Sequence, residues 1–301
     1  MKILRKIGFI LILAIVAMIV FTFIFSPAQA QPVTIPIGKA PKYPPKKKQF
    51  KTPVVLDARP AFKYAMGHLN LAQPIRWEDY SQTEEQHKGA LDPDYGLLAR
   101  KLRLLGVKPD REVIVLGDGA QGIGEEGRIG WMLLYLGVKK VQVFNVDYMK
   151  GKKLFGERLD VDEAPLWTPK INALIKIEKR ELAVFVKEKK SDKVIIDVRT
   201  AEEFNGKKTL NEKRPGHIPG AINITWTKFL NDSGNISDAD NLVKLLKEHK
   251  VNTNSELVFY CSNGVRSAHV AFGALKAGLS ARLYDGSFMQ WSADDQMPVD
   301  I

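Results

Sequence analysis

The chain has 301 residues, 45% of them hydrophobic and 26% charged, with 23 glycines and 16 prolines. That composition excludes collagen-like, coiled-coil and wholly disordered chains, and the length predicts two domains. Lysine and arginine number 45 against 34 acidic residues, a formal charge of +11 that suits anionic partners, and the single cysteine, Cys261, excludes an internal disulfide framework and any multi-cysteine zinc site.

Lys2, Arg5 and Lys6 precede an apolar run over residues 7–25, and Ala28-Gln29-Ala30 follows. A basic start, an apolar stretch and a small-x-small site describe a secretory signal peptide cleaved after Ala30. The run also approaches the roughly 20 residues that span a bilayer, so an uncleaved membrane anchor through residues 7–25 is the alternative. Either reading exports the rest of the chain, to a bacterial periplasm or cell envelope. Residues 31–51 hold five prolines and the run Lys46-Lys47-Lys48, and read as an extended linker with a solvated charge run.

Residues 53–59 form a short apolar strand running into Asp57-Ala58-Arg59, and residues 193–199 repeat it with Asp197-Val198-Arg199. Each is followed by a Gly-His pair, Gly67-His68 and Gly216-His217. From there Ala72 matches Ala221, Ile75 matches Ile224 and Trp77 matches Trp226 at a constant offset of 149. A shared register over several residue types marks an internal repeat. The first unit continues with a predicted helix over 97–105, a strand over 112–116, a helix over 125–136 and a strand over 140–144. Residues 171–177 add a strand and 178–189 a helix. The second unit then runs through a helix over 238–249, a strand over 256–260, a helix over 267–277 and a strand over 281–284. Continuous apolar strands alternating with helices predict an α/β fold, each unit a small parallel sheet flanked by helices. The expected division is a first domain over 52–150, a connector over 151–170 and a second domain over 171–301.

In the second domain Val258-Phe259-Tyr260 leads into Cys261-Ser262-Asn263-Gly264-Val265-Arg266-Ser267, where helix begins. A loop at the carboxyl end of a parallel strand presents backbone N–H groups at a helix N-terminus, which favours anions such as a thiolate. Gly264 permits close backbone approach and Arg266 adds positive charge. A small buried hydrophobe is the usual fate of a lone cysteine. The strand end, the glycine, the arginine and the helix that follows point instead to a reactive one.

This loop, together with Arg214-Pro-Gly-His-Ile-Pro-Gly-Ala-Ile-Asn223, Asp197-Val-Arg199 and Tyr284-Asp-Gly-Ser-Phe-Met-Gln-Trp291, resembles the tandem rhodanese family of thiosulfate and mercaptopyruvate sulfurtransferases. The resemblance spans roughly residues 52–301. It implies two tandem rhodanese-like domains and a sulfurtransferase. Cys261 would take a sulfane sulfur from a small anionic donor as a persulfide and pass it to a thiol or cyanide acceptor. Ser262, Asn263, Gly264, Val265, Arg266 and Ser267 would form the persulfide-binding loop. No metal or organic cofactor and no nucleic acid is expected. Two departures stand out. Glu203-Phe204 occupies the place where tandem members carry a substrate-binding arginine, and Arg266 stands where many have threonine. Arg214, with Lys207, Lys208 and Lys213 nearby, is the candidate replacement for substrate-binding charge. Cysteine phosphatases share the strand, loop and helix, but with a longer loop than the four residues between Cys261 and Arg266 here. A non-enzymatic binding or sulfur-carrier module of the same fold is the second reading.

In the first domain Cys261 falls opposite Gly117 or Asp118, so that domain cannot form a persulfide. Its Gly117-x-Gly119-x-x-Gly122 also matches a dinucleotide fingerprint, for which Asp147 would be the acidic partner, but a degenerate copy of the cysteine loop accounts for it equally. This domain is expected to pack on the other and help wall the cleft. As the family implies, Asp57, Arg59, Asp197 and Arg199 tie loops by buried hydrogen bonds. His68 and His217 are expected to brace turns, Trp77 and Trp226 to pack cores, and His269 to lie near the pocket.

Overall fold

The computed structural model describes residues 53–84, 87–149, 154–155, 162–188 and 193–301. The signal or anchor reading of residues 1–30 and the linker reading of 31–51 fall outside the described residues. Among the described residues no helix is long and apolar enough to cross a membrane.

In the first domain, β1 (Val54–Asp57), α1 (Ala61–Met66), β2 (Gln73–Pro74), α2 (Tyr95–Leu104), β3 (Val113–Gly117), α3 (Glu125–Tyr135) and β4 (Val141–Asn145) build a sheet of order β2-β1-β3-β4. The second follows with β5 (Lys176–Ile177), α4 (Lys179–Glu188), β6 (Lys193–Asp197), α5 (Ala201–Phe204), β7 (Ile222–Asn223) and α6 (Ala239–Glu248). It ends with β8 (Glu256–Tyr260), α7 (Val265–Lys276), β9 (Ala281–Tyr284) and α8 (Ser287–Ser292), and its sheet runs β5-β9-β8-β6-β7. All pairings in both sheets are parallel. The central strands are apolar on both faces because helices cover both; Val113, Val115 and Leu116 and then Leu257, Val258, Phe259 and Tyr260 are fully buried.

The register sets the site. Asp57 lies opposite Leu116 and Asp197 opposite Tyr260, so each aspartate stands at the carboxyl end of its sheet beside the strand that feeds the following loop. Helices α3 and α7, which leave those loops, pack on each other across the domain boundary through small residues. A methyl group at Gly127 would strike His269, and one at Gly130 would strike Val143 and Phe272. Apolar packing is accordingly continuous, from Leu56, Leu98 and Val115 through Ile129 and Met132 to Phe259, Ala271 and Phe272.

Three differences from the sequence expectation have physical causes. Helix α7 starts at Val265 rather than Ser267, because Gly264 adopts the left-handed region (φ 87°) and caps it immediately. The strand expected over 171–177 shrinks to Lys176–Ile177, since Ala173–Ile175 close a 3-10 turn. Helices α1, α5 and α8 were not expected; with only 6, 4 and 6 residues they are too short to show periodicity.

Candidate active site

Tyr260 ends β8, and Cys261 follows with no exposed surface. The short stretch Cys261–Gly264 curls back so that the Gly264 N–H donates to Cys261 Sγ at 3.2 Å and Ser267 Oγ donates to the same sulfur at 3.4 Å. The sulfur thus sits at the N-terminus of α7, where unsatisfied N–H groups and the helix dipole favour negative charge. The loop is fixed from behind by α8. Phe288 N–H donates to the Cys261 carbonyl at 2.9 Å and Met289 N–H to the Ser262 carbonyl at 2.9 Å. The Cys261 N–H donates to Ser287 Oγ at 3.2 Å. Ser287 is itself held at φ 51°, a costly backbone for a non-glycine residue.

Arg266 points not at the sulfur but across to α5. Its Nη1 and Nη2 fork onto the two Glu203 oxygens at 2.9 and 2.8 Å, and Nη2 also donates to Ser262 Oγ at 2.9 Å. Thr200 caps α5 through a box with Glu203, which orients that carboxylate. Burial alone would raise the Glu203 carboxyl, but the Arg266 guanidinium and the Thr200 bonds outweigh it and lower it to about 2. The positive charge expected from Arg266 is therefore matched within the loop's own surroundings.

Beneath the loop, Arg199 is locked onto Asp197 at 2.6 Å, donates to the Gly216 carbonyl at 2.7 Å and lies 4.2 Å over the Phe288 ring. The first domain repeats this knot: Arg59 bonds Asp57 at 2.7 Å and the Gly67 carbonyl at 2.8 Å. His217 stacks on Phe204 and His68 on Tyr64, each ring also held by that partner's carbonyl, so both brace turns. Trp226 is buried, and Trp77 packs against the core from a half-buried position.

Two expected pocket residues lie elsewhere. Arg214 donates to the carbonyls of Trp291, Ser292, Asp294 and Met297, clasping the end of α8 and the segment after it. This corrects its expected role as a source of charge for the donor, because its guanidinium is occupied by backbone. His269 is buried in the α3–α7 seam, 3.6 Å from Glu126. Burial pushes the His269 imidazole down to about 4, and burial, aided by Glu125 and Asp118, pushes the Glu126 carboxyl up to about 8.

The first domain contributes groups that the sequence reading did not single out. Residues 87–91 lie over the cysteine loop: the Gly89 backbone presses on Asn263, and the Leu91 N–H donates to Asp285 Oδ2 at 2.8 Å. His87 Nδ1 meets Gln290 Nε2 at 3.0 Å. Arg128 reaches from α3 to Asp285, which follows β9. By the same register Gly117 takes the cysteine's place in the degenerate loop, and Asp118 after it pairs with Lys63 at 2.9 Å. The dinucleotide reading fails on space and charge. The Glu126 carboxyl fills the volume beside Gly117, and Gly119 is packed against Gly234 and Asn145, so no cradle is open to a pyrophosphate.

A thiol at the junction of a parallel strand and a helix, in a tandem α/β architecture, is the arrangement of rhodaneses. The sequence profile of the rhodanese-like domain matches residues 45–153 and 181–294, and the chain belongs to that family. It is 30% identical to 3-mercaptopyruvate sulfurtransferase of Mus musculus over 207 residues, covering 62% of this chain and 64% of the relative. It is 28% identical to thiosulfate sulfurtransferase of Gallus gallus over 256 residues, 83% of each. Its fold matches the crystal structure of the 3-mercaptopyruvate sulfotransferase SseA from Escherichia coli with a TM-score of 0.67 at 26% identity, over 77% of this chain and 91% of that one. A structure of an EanB variant with ergothioneine shares the fold alone, with a TM-score of 0.73 at 20% identity over 87% of this chain and 66% of that one. Fold and relatives define the class as tandem-rhodanese sulfurtransferase.

Proposed function

We propose that this chain moves a sulfane sulfur from a small donor of the thiosulfate or mercaptopyruvate type to a thiophilic acceptor through a persulfide on Cys261. The observation that carries the reading is the placement of the one thiol against the Gly264 N–H and the Ser267 hydroxyl at the start of α7. With thiosulfate, the thiolate attacks the outer sulfur. A new S–S bond forms as the donor's S–S bond breaks, and sulfite leaves with the electron pair. Cyanide or a thiolate acceptor then attacks the outer sulfur of the persulfide, and Cys261 departs as thiolate. Gly264 N–H and Ser267 Oγ stabilise the anionic sulfur in both steps.

The domain over 52–150 serves as support and that over 171–301 as the catalytic unit. Residues 1–30 export the chain to a bacterial periplasm or cell envelope, with Gln31 as the first mature residue. Intact mass of the envelope fraction checks this: a full-length product retained in the membrane replaces cleavage by anchoring through residues 7–25. The activity is tested with a panel of thiosulfate and mercaptopyruvate, reading both bound sulfur and thiocyanate formed from cyanide. Turnover of either donor supports the enzyme. Loading without release to cyanide supports the sulfur-carrier module instead.

A further inference from the structure

A closed ring of hydrogen bonds covers the cysteine loop, and its central residue belongs to the domain that has no cysteine. Arg128 is 1% exposed, as is Asp285. One guanidinium nitrogen of Arg128 bonds Asp285 Oδ1, and the other donates to the Gly89 carbonyl at 2.7 Å. The second Asp285 oxygen accepts the Leu91 N–H at 2.8 Å and returns the ring to the first domain. The ring rests on the loop at two consecutive residues. Gly89 abuts Asn263, and a Cβ at Gly264 would lie 2.5 Å from the Asp285 carbonyl oxygen and 3.5 Å from Arg128 Nη1. Gly264 is the residue whose N–H faces Sγ.

A buried ion pair is weak evidence of stability, because desolvating two charges offsets much of their attraction. A pair that joins two domains and rests on the one loop holding a thiol has a positional use. We propose that Arg128 is a positioning residue for the Cys261 chemistry. Through Asp285 and Gly89 it holds Asn263 and Gly264 in the geometry that aims the Gly264 N–H at the sulfur. The cysteine-less domain thus supplies order to the catalytic loop without touching the substrate. This rests on the reading of Cys261 as the sulfur carrier.

The test uses the whole chain and two readouts, the rate of Cys261 alkylation by iodoacetamide and the rate of persulfide formation, with thermal unfolding alongside. Cys261 is the only cysteine, so every alkylation event reports it. Arg128→Gln is expected to slow both rates about tenfold, the scale of a displacement below an ångström, with the donor KM little changed. Arg128→Lys keeps the charge but loses the fork, and is expected to fall between the two. Arg128→Gln/Asp285→Asn replaces the ion pair by neutral amides and avoids a lone buried charge, so it remains readable if the single variants unfold. It is expected to unfold near the wild-type temperature yet stay slow. Wild-type alkylation and loading rates in the double variant overturn the proposal. If alkylation slows in the variants while wild type loads no sulfur from any donor, positioning stands and the sulfur-transfer reading falls.

Discussion

The two strand–loop–helix turns of this chain start from the same parts. Each follows a buried strand, each stands beside an Asp–Arg knot tied to a glycine carbonyl, and each ends in a left-handed glycine, Gly124 at φ 86° and Gly264 at φ 87°. Beyond the aspartate's strand partner, however, one loop runs Cys261-Ser262-Asn263-Gly264 and the other runs from Gly117 to Gly124, four residues longer. The shorter loop brings its helix N–H onto a sulfur. The longer one places Asp118 on Lys63 and turns Glu126, the second residue of α3, onto Gly117. At the matching helical position Arg266 turns to the buried Glu203. A helix N-terminus is thus closed by the chain's own acidic side chains in one copy and faces the thiol in the other. The scaffold is shared, and the chemistry lives in the loop.

The sharpest way to break this comparison is to exchange the nucleophiles. Cys261→Ser is expected to abolish turnover, since a hydroxyl is a far poorer nucleophile at neutral pH and cannot hold a persulfide. Adding Asp118→Cys to that variant is expected to restore none, because the longer loop and the Glu126 carboxyl leave no site for an anionic sulfur; recovered turnover would make the two loops equivalent.

A smaller effect is expected at Glu203. Glu203→Gln removes the charge that balances Arg266, so steady-state KM for thiosulfate is expected to fall severalfold. Glutamine still serves the capping box, so any loss of stability in urea unfolding reports the broken ion pair with Arg266. An unchanged KM would mean that the pair neutralises nothing the donor experiences.

The smallest effect is in the seam. Glu126 is raised from 4.5 to about 8, so the folded state keeps its proton where the unfolded state has lost it. Stability from this group is complete below pH 4.5 and declines as pH rises to 8. His269 is lowered from 6.5 to about 4, so its contribution is complete above pH 6.5 and is lost as pH falls towards 4. The two slopes oppose each other between pH 4.5 and 6.5, leaving a net decline between 6.5 and 8 of order 1–2 kcal/mol. Glu126→Gln is expected to flatten that decline in unfolding curves recorded against pH; a slope that persists in the variant excludes Glu126 as its source.

How far the sequence could be read depended on the range of each interaction. The repeat, the parallel α/β class and the place of Cys261 between a strand and a helix were legible because apolar strands, helix-stopping glycines and the Cys-to-Arg spacing are local. The box of Thr200 and Glu203 was equally local, a Thr-x-x-Glu start to a helix, and could have been read. Its tie to Arg266 could not, since 63 residues separate the partners, nor could Arg128 with Asp285 across 157 or His87 with Gln290 across 203. Charge alone suggests a donor-binding role for Arg214, whereas the backbone carbonyls at and just beyond the end of α8 decide where it sits. Neither the short helices nor the direction of Glu126 left a periodic trace, because tertiary packing alone holds them.

The central claim is that the one thiol of this chain carries sulfur. Intact mass spectrometry of the full chain after incubation with thiosulfate or mercaptopyruvate tests it directly. The account predicts a gain of one sulfur atom on wild type, absent in Cys261→Ser and removed by cyanide with thiocyanate appearing in step. No gain from either donor, or a gain that persists in Cys261→Ser, would contradict it.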